Sequence, residues 1–431
     1  MRQYKDSGIE WIGKIPENWD ICYLKCKALI ERGGSPRPIE DYISDNGYNW
    51  IKIGDTIKGN KYITSVRQKI RKEGLNKTRL VHSGDLILTN SMSFGEPYIL
   101  QVDGCIHDGW VAISNLNKID KVFLYYLLLS PFCQYQFKLQ VAGGVVQNLN
   151  VDKIAVTYIL CPPLLEQQCI ADYLDEKCGE IDSLIALQEQ MIEKLKAYKQ
   201  SVITEAVTKG LNPDAKIVPS GINWIKEIPE GWKVLPVKRM CQNITDGSHF
   251  SPNTAGEGKA YITVSNVYND KVHVDEAAKI SIDDFSVLVA NGCQPPIGSV
   301  LLAKDGTVGR TAVVQDNDYV VLSSLGILTP LGTVLSKYLK YLLDSDPLQA
   351  QMQLAMAGSA LRRITITKIC KLIGIQPPLS EQKAIITHLN EKCAGIDRLI
   401  GLKQKKIEKL KDYKKSVIYE AVTGKTDLQD N

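Results

Sequence analysis

The chain of 431 residues lacks any long hydrophobic run, and its formal net charge is only +4. A membrane-spanning helix needs about 20 consecutive apolar residues, and none is present. No basic-then-apolar leader opens the chain. A soluble, cytoplasmic protein is therefore expected. Histidine is scarce: five residues, at 82, 107, 249, 273 and 388, lie far apart in sequence. The eleven cysteines contain no Cys-x-x-Cys, and Cys22 and Cys26 have no second pair at zinc-finger spacing. No metal site is expected, and the scattered thiols of so large a chain are expected to be reduced. No Gly-x-x-x-x-Gly-Lys-Ser/Thr occurs, which argues against a nucleotide-phosphate cradle. Lys304-Asp-Gly-Thr-Val-Gly309 lacks the following lysine and reads as a tight turn.

What the chain has is itself, twice. Ser7–Trp19 reads SGIEWIGKIPENW and Ser220–Trp232 reads SGINWIKEIPEGW, nine of thirteen positions being identical at an offset of 213. Pro162–Thr208 and Pro377–Thr423 match at 29 of 47 positions, at an offset of 215. The order is opener, variable stretch, helical segment, then the same again. Such duplication builds a pseudo-symmetric molecule. A chain this long exceeds one hydrophobic core. The reading is four regions: a globular domain over 1–160, a helical region over 161–210, a second globular domain over 211–375, and a second helical region over 376–431.

In the helical segments apolar residues recur by threes and fours. Ile181, Leu184, Met191, Leu195, Tyr198 and Val202 form one seam, and Ile396, Leu399, Leu410, Tyr413 and Val417 the other. Gln188, Lys403 and Lys406 interrupt them. Heptad spacing suits helix pairing, so the two segments are expected to form an antiparallel coiled coil. Gly179 and Asp182 are expected to break and recap the first helix, leaving a shorter helix near 166–177 before it. Gly210 with Pro213, and Gly424, are expected to end the long helices. Cys178 and Cys393 share one repeat position and read as packing residues.

The variable stretches look mixed. Short strands are expected at 50–53, 85–89 and 110–113, and again at 261–264, 299–303 and 319–322. A helix is expected at 122–129 with a counterpart at 335–343. Gly84 and Gly95 match Gly298 and Gly309, and Gly143 matches Gly358. The fold class is thus α+β: two similar globular domains separated by two long helices, with pseudo-two-fold symmetry. The strongest charge excess is Lys58, Lys61, Arg67, Lys69, Arg71, Lys72, Lys77 and Arg79 against Glu73 alone. Clustered cations attract a polyanion and release its counterions.

In this order, these segments resemble the DNA-specificity subunit of type I restriction–modification enzymes. The resemblance covers essentially the whole chain. It rests on the two openers, on PPLLEQQCIADYLDEK from Pro162 and PPLSEQKAIITHLNEK from Pro377, and on ERGGSPRP, WIKIGD, ITDGSH and AKDGTVGR. It implies two target-recognition domains held by conserved helices, each reading half of a bipartite, asymmetric site in double-stranded DNA. It implies no catalysis and no cofactor in this chain. Two methyltransferase subunits would bring S-adenosylmethionine, and up to two restriction subunits would bring ATP and magnesium. The residues agree on catalysis: Cys161-Pro-Pro-Leu164, Gln294-Pro-Pro-Ile297 and Gln376-Pro-Pro-Leu379 are not the Asn/Asp-Pro-Pro-aromatic motif that holds a flipped adenine.

Candidate DNA contacts are Arg32, Arg37, Lys58, Lys61, Arg67, Lys69, Arg71, Lys72 and Arg79 in the first half. In the second they are Asp246, Ser248, His249, Lys304, Arg310, Arg362 and Arg363. Two other classes stay open: a nuclease with an unrecognised site, near Asp85 or Asp305, and a protein-only coiled-coil scaffold.

Overall fold

The computed structural model describes every residue except 1, 10–11, 58, 92–93, 142–147, 251, 357–361, 427 and 429–431. Gly143 and Gly358 therefore lie outside the described residues. The chain forms two compact units, Met1–Gln188 with Lys405–Asn431, and Glu189–Gln404. Each unit combines one globular part with a segment of both long helices.

The first unit is layered around a five-stranded sheet. Its order is Leu29–Arg32, Trp110–Ser114, Leu86–Thr89, Pro97–Leu100 and Tyr62–Ile63. Its three central strands are buried on both faces, to which alternate residues point in turn. Leu86, Leu88, Val111 and Ile113 join a core with Phe123, Leu124, Leu127 and Leu128 of helix Lys121–Leu129. Ile87, Tyr98, Trp110 and Ala112 join a second core with Ile51, Val81 and Ile106. Those three come from another five-stranded sheet, ordered Ile43–Ser44, Lys69–Ile70, Tyr48–Ile51, Gly104–Ile106 and Arg79–Val81.

The second unit repeats this plan with shorter sheets. Cys241–Asp246, Leu325–Pro330, Val300–Ala303 and Thr311–Val313 form one, and Thr254–Ala255, Ala278–Ile280, Lys259–Ile262 and Tyr319–Val321 the other. Val300, Leu302 and Leu328 pack with Tyr338, Leu339, Leu342 and Leu343 of helix Ser336–Asp344. Leu301, Ala303, Ala312 and Ile327 face Ile262, Tyr319 and Val321. The strands and the paired helices expected from sequence are all present, with ends shifted by a residue or two.

The repeated motifs have structural partners. In Pro-Pro-Leu-x-Glu-Gln the glutamine is buried in both copies. Gln167 Oε1 accepts from Asp120 N at 2.6 Å, and Gln382 Oε1 from Leu335 N at 2.9 Å. Each thus ties the residue preceding a domain helix to the start of a long helix. The opener meets a helix end. A Cβ on Gly424 would lie 2.5 Å from Pro16 Cγ and 3.2 Å from Trp19, and one on Gly210 3.1 Å from Trp232. Both glycines have φ above +70°, which other residues rarely adopt.

The long helices are Leu164–Lys209 and Leu379–Val422. The first is continuous, so the expected break at Gly179 and Asp182 does not occur. A helical glycine costs only about 1 kcal/mol against alanine. The flanking Leu174, Cys178 and Ile181 are buried on one face, and Ser183 Oγ donates to Gly179 O at 2.8 Å. In the first unit Ile170, Leu174 and Cys178 pack with Val417, Ile418 and Ala421, and Lys414 Nζ meets Asp182 at 2.7 Å. In the second, Ile203 and Val207 share a core with Ile385, Leu389 and Cys393, and Lys199 Nζ meets Asp397 at 2.8 Å. Met191 Sδ lies 3.1 Å from Lys403 Nζ. Going back from Lys199 to Met191 moves the partner forward from Asp397 to Lys403, so the two helices run antiparallel. Cys178 and Cys393 are both buried packing residues.

The seam itself differs from the expected one. Ile181, Ile396 and Val417 are buried, and Met191, Leu195, Val202 and Leu410 are half-buried. Leu184, Tyr198, Leu399 and Tyr413 are 44%, 55%, 48% and 59% exposed. The inward positions are instead Ile185, Ile192, Lys199, Ile400, Ile407 and Lys414, each one residue further on. Both stripes have heptad spacing. The structure turns the β-branched isoleucines inward, and the two lysines are tolerated there because each ammonium meets an aspartate.

Candidate nucleic-acid interface

In each unit three chain segments converge at one end of the doubly buried sheet. In the first unit these are the loop after strand Leu29–Arg32, the residue after strand Leu86–Thr89, and the turn His107–Gly109. The loop lies so close to the turn that a Cβ on Gly33 would sit 2.1 Å from His107 O. In the second unit a Cβ on Gly247 would sit 2.0 Å from Val321 O. Only glycine permits this approach, and the two glycines are 214 residues apart, as the duplication requires. The next position matches too: Leu149 N donates to Asn90 O, and Ile364 N donates to Lys304 O.

On this shared frame the chemistry differs. In the first unit polar groups gather on Asp108. Ser35 Oγ donates to Asp108 Oδ1 at 2.7 Å, and the Arg37 guanidinium lies 3.6 Å from Oδ2. Arg32 Nε and Asn90 Nδ2 donate to Asp108 O at 3.3 and 3.0 Å. The Ser35 hydroxyl holds the Asp108 carboxyl below its ordinary range, against a smaller opposing effect of burial. Asp108 is therefore ionised, with the Arg37 guanidinium beside its carboxylate and Arg32 held by its main-chain oxygen. Burial pushes the His107 imidazole down, so it is neutral. Asn90 is buried, and among the described residues its Oδ1 has no partner.

In the second unit a lysine takes the place of Asn90. Lys304 is 1% exposed, with Nζ 3.4 Å from Asp246 and 3.5 Å from Asp305. Arg363 Nε lies 3.1 Å from Asp305 on its other oxygen, and His249 Nε2 lies 3.3 Å from Asp246. Residues 305 and 363 also form an isolated antiparallel bridge.

Several candidate contacts are corrected by these positions. Lys304 is buried between two carboxylates, so its ammonium does not face solvent. Ser248 is 3% exposed, and its hydroxyl both donates to Phe250 O and accepts from Phe250 N. Lys61 has a side chain 14% exposed, chelated by Asp175 at 2.5 Å and ringed by Tyr62, Tyr125 and Tyr126. It fastens its loop to the long helix. Lys58 lies outside the described residues. Arg79 is exposed but paired with Glu31 at 3.0 Å. Arg67, Lys69, Arg71 and Lys72 are exposed and, among the described residues, held in no ion pair. Lys69 and Arg79 lie on strands of the second sheet, and Lys72 opens the short helix Lys72–Lys77. Arg32, Arg37, Asp246, His249, Arg310, Arg362 and Arg363 are at least partly exposed.

Asp108, Ser35 and Asn90 were not among the sequence candidates. Asn90 was within reach, because the matched glycines at 84, 95, 298 and 309 bracket both it and Lys304. Asp108 carries no local signal. Only the close packing of the loop at Gly33 on the turn brings it to the arginines.

The profile of a family described as the type I restriction modification DNA specificity domain matches twice, over 16–197 and 229–412. The provisionally named type I restriction enzyme MjaX specificity subunit of Methanocaldococcus jannaschii is 27% identical, over 96% of this chain and 95% of its own. The EcoKI specificity subunit of Escherichia coli K12 is 21% identical, over 97% and 91%. A chain from a structure described as showing complex assembly and conformational transition of the type I R-M system has a TM-score of 0.71. It is 17% identical, with 96% of this chain and 99% of that one covered, and so shares the fold.

Proposed function

The chain belongs to the type I restriction–modification DNA-specificity family, and we propose that its two units read the two halves of a bipartite, asymmetric DNA site. It is the non-catalytic, sequence-reading component of its system. One observation carries the two-word reading. The same backbone frame occurs twice, with Arg32 and Asn90 in one copy and Asp246 and Lys304 in the other. A shared frame supports two related docking modes, and unlike side chains present unlike donors and acceptors to base edges. Arg32 and Arg37 are the groove-facing candidates of the first unit; His249, Arg310, Arg362 and Arg363 are those of the second. Arg67, Lys69, Arg71 and Lys72 supply phosphate contacts, which position the duplex without reading it.

The outward stripe on the helices is the reading's second element. Leu184, Leu187 and Tyr413 are exposed in the first unit, and Leu399, Leu402 and Tyr198 in the second. These are the same repeat positions, at an offset of 215. Each unit thus offers one Leu-Leu-Tyr patch, which fits two copies of one partner. We assign it to two methyltransferase subunits carrying S-adenosylmethionine. Up to two restriction subunits, with ATP and magnesium, complete the assembly. The site of action is the cytoplasm, where the DNA substrate lies.

Methylome sequencing of the source cell, with and without this gene, tests the reading. Loss of one methylated motif made of two different short words with an unread spacer is expected. A single continuous motif, or no change, would refute it.

A further inference from the structure

Strands Asp20–Tyr23 and Tyr158–Cys161 pair antiparallel at the root of the first globular part, with Cys22 opposite Ile159 and Cys161 opposite Asp20. Cys22 and Cys161 are thus diagonal neighbours on one face, and their sulfurs are 3.4 Å apart. Cys22 is partly exposed and Cys161 buried. The contact with Cys161 draws the Cys22 thiol down to about 7; burial opposes, and Lys27 assists. The contact with Cys22 and burial push Cys161 up. One sulfur therefore serves as thiolate nucleophile and its neighbour keeps the proton.

We propose that Cys22 and Cys161 form a dithiol modification site that a small peroxide closes to a disulfide. The Cys22 thiolate attacks one oxygen of hydrogen peroxide and the O–O bond breaks. The hydroxide released takes up a proton, giving water, and Cys22 becomes a sulfenic acid. The Cys161 sulfur then attacks the Cys22 sulfur and the S–O bond breaks. The departing hydroxide leaves with the Cys161 proton as a second water. Both sulfurs are oxidised, and one peroxide is reduced to two waters.

The location gives the bond a consequence. Cys161 immediately precedes Pro162-Pro163 and the long helix that starts at Leu164. The disulfide staples the strand that follows the opener to the strand that leads into that helix. The second half has the same register, Leu235 opposite Gly374 and Gln376 opposite Lys233. Leu235 and Gln376 stand where Cys22 and Cys161 do, so only the first recognition part can be locked this way.

Treating the full-length chain with hydrogen peroxide, alkylating, and mapping peptides without reductant tests the site. A linked Cys22–Cys161 peptide should be the first oxidised product, ahead of the more exposed Cys26 and Cys169. In Cys161→Ser the reaction should stop at a sulfenic acid on Cys22, trapped by dimedone. In Cys22→Ser, Cys161 should stay unoxidised. Oxidation of Cys26 or Cys169 while Cys22 and Cys161 remain free thiols would overturn the proposal. That result is read on the unsubstituted chain, so the proposal is decided even if a serine variant does not fold.

Discussion

Replacing Leu184 and Leu187 together by serine tests the outward helical patch. Both side chains are 44% exposed, so each has roughly half its apolar surface still available to a partner. Fully burying a leucine stabilises by about 1.5–3 kcal/mol, so covering the exposed half contributes about 1 kcal/mol each. The pair then contributes about 2 kcal/mol, or roughly 30-fold in affinity. Leu399→Ser with Leu402→Ser, at 48% and 54% exposure, should cost the same at the other patch. The assay is titration with the cognate methyltransferase subunit, read by light scattering. The parent chain should take up two copies. Either double variant should take up one copy tightly and the second about 30-fold more weakly. The fourfold variant should hold neither tightly. Serine lowers helix propensity by a few tenths of a kcal/mol per site and also gives up the half of each leucine that the fold already buries, about 1 kcal/mol each, so the melt should fall by a few degrees and the titration is read well below it. Two copies bound at parental affinity by the fourfold variant would refute the assignment of this face.

Four other outcomes follow from the structure. Ile192→Ala and Ile407→Ala, at 6% and 8% exposure, should each destabilise by about 2–4 kcal/mol in denaturant melts, whereas Tyr198→Ala should cost under about 1 kcal/mol. Lys304→Met leaves Arg363 on Asp305 alone and removes the cation between Asp246 and Asp305. Because both are partly exposed, the loss should be about 2 kcal/mol, a fall of roughly 4–8 °C in the melting of the second unit; no shift would mean that the lysine is not held there. Arg67→Gln, Arg71→Gln and Lys72→Gln together should weaken DNA binding by the assembled methyltransferase on every sequence tried. They should also lower the salt slope by about 2–3, whereas Arg32→Ala should relax the sequence preference in one half-site only. Gly424→Ala combines a positive φ with a Cβ 2.5 Å from Pro16, and should destabilise the first unit by about 2–4 kcal/mol in thermal melts.

The sequence by itself determined the duplication, the α+β class, the two long helices and their terminal glycines, and six of the strands that build the cores. These features are local or repeated: a period of two or of 3.5, a glycine where φ must be positive, an identical phrase at a fixed offset. It also marked the exposed cations Arg67, Lys69, Arg71 and Lys72, because adjacent like charges rarely all find partners. Tertiary structure alone decided which of two heptad stripes faces inward. Leu184 and Ile185 have nearly equal claims in the sequence, and the choice went to the stripe in which Lys199 and Lys414 could meet Asp397 and Asp182. It likewise decided that Lys304 is buried and Lys61 chelated, while Asp108, which no local pattern distinguishes, organises the first candidate interface. A cation's availability depends on the carboxylates that the fold brings beside it. Asp305 adjoins Lys304 in sequence, but Asp246 is 58 residues from it and Asp175 is 114 residues from Lys61, so most of those partners appear only when the chain is folded.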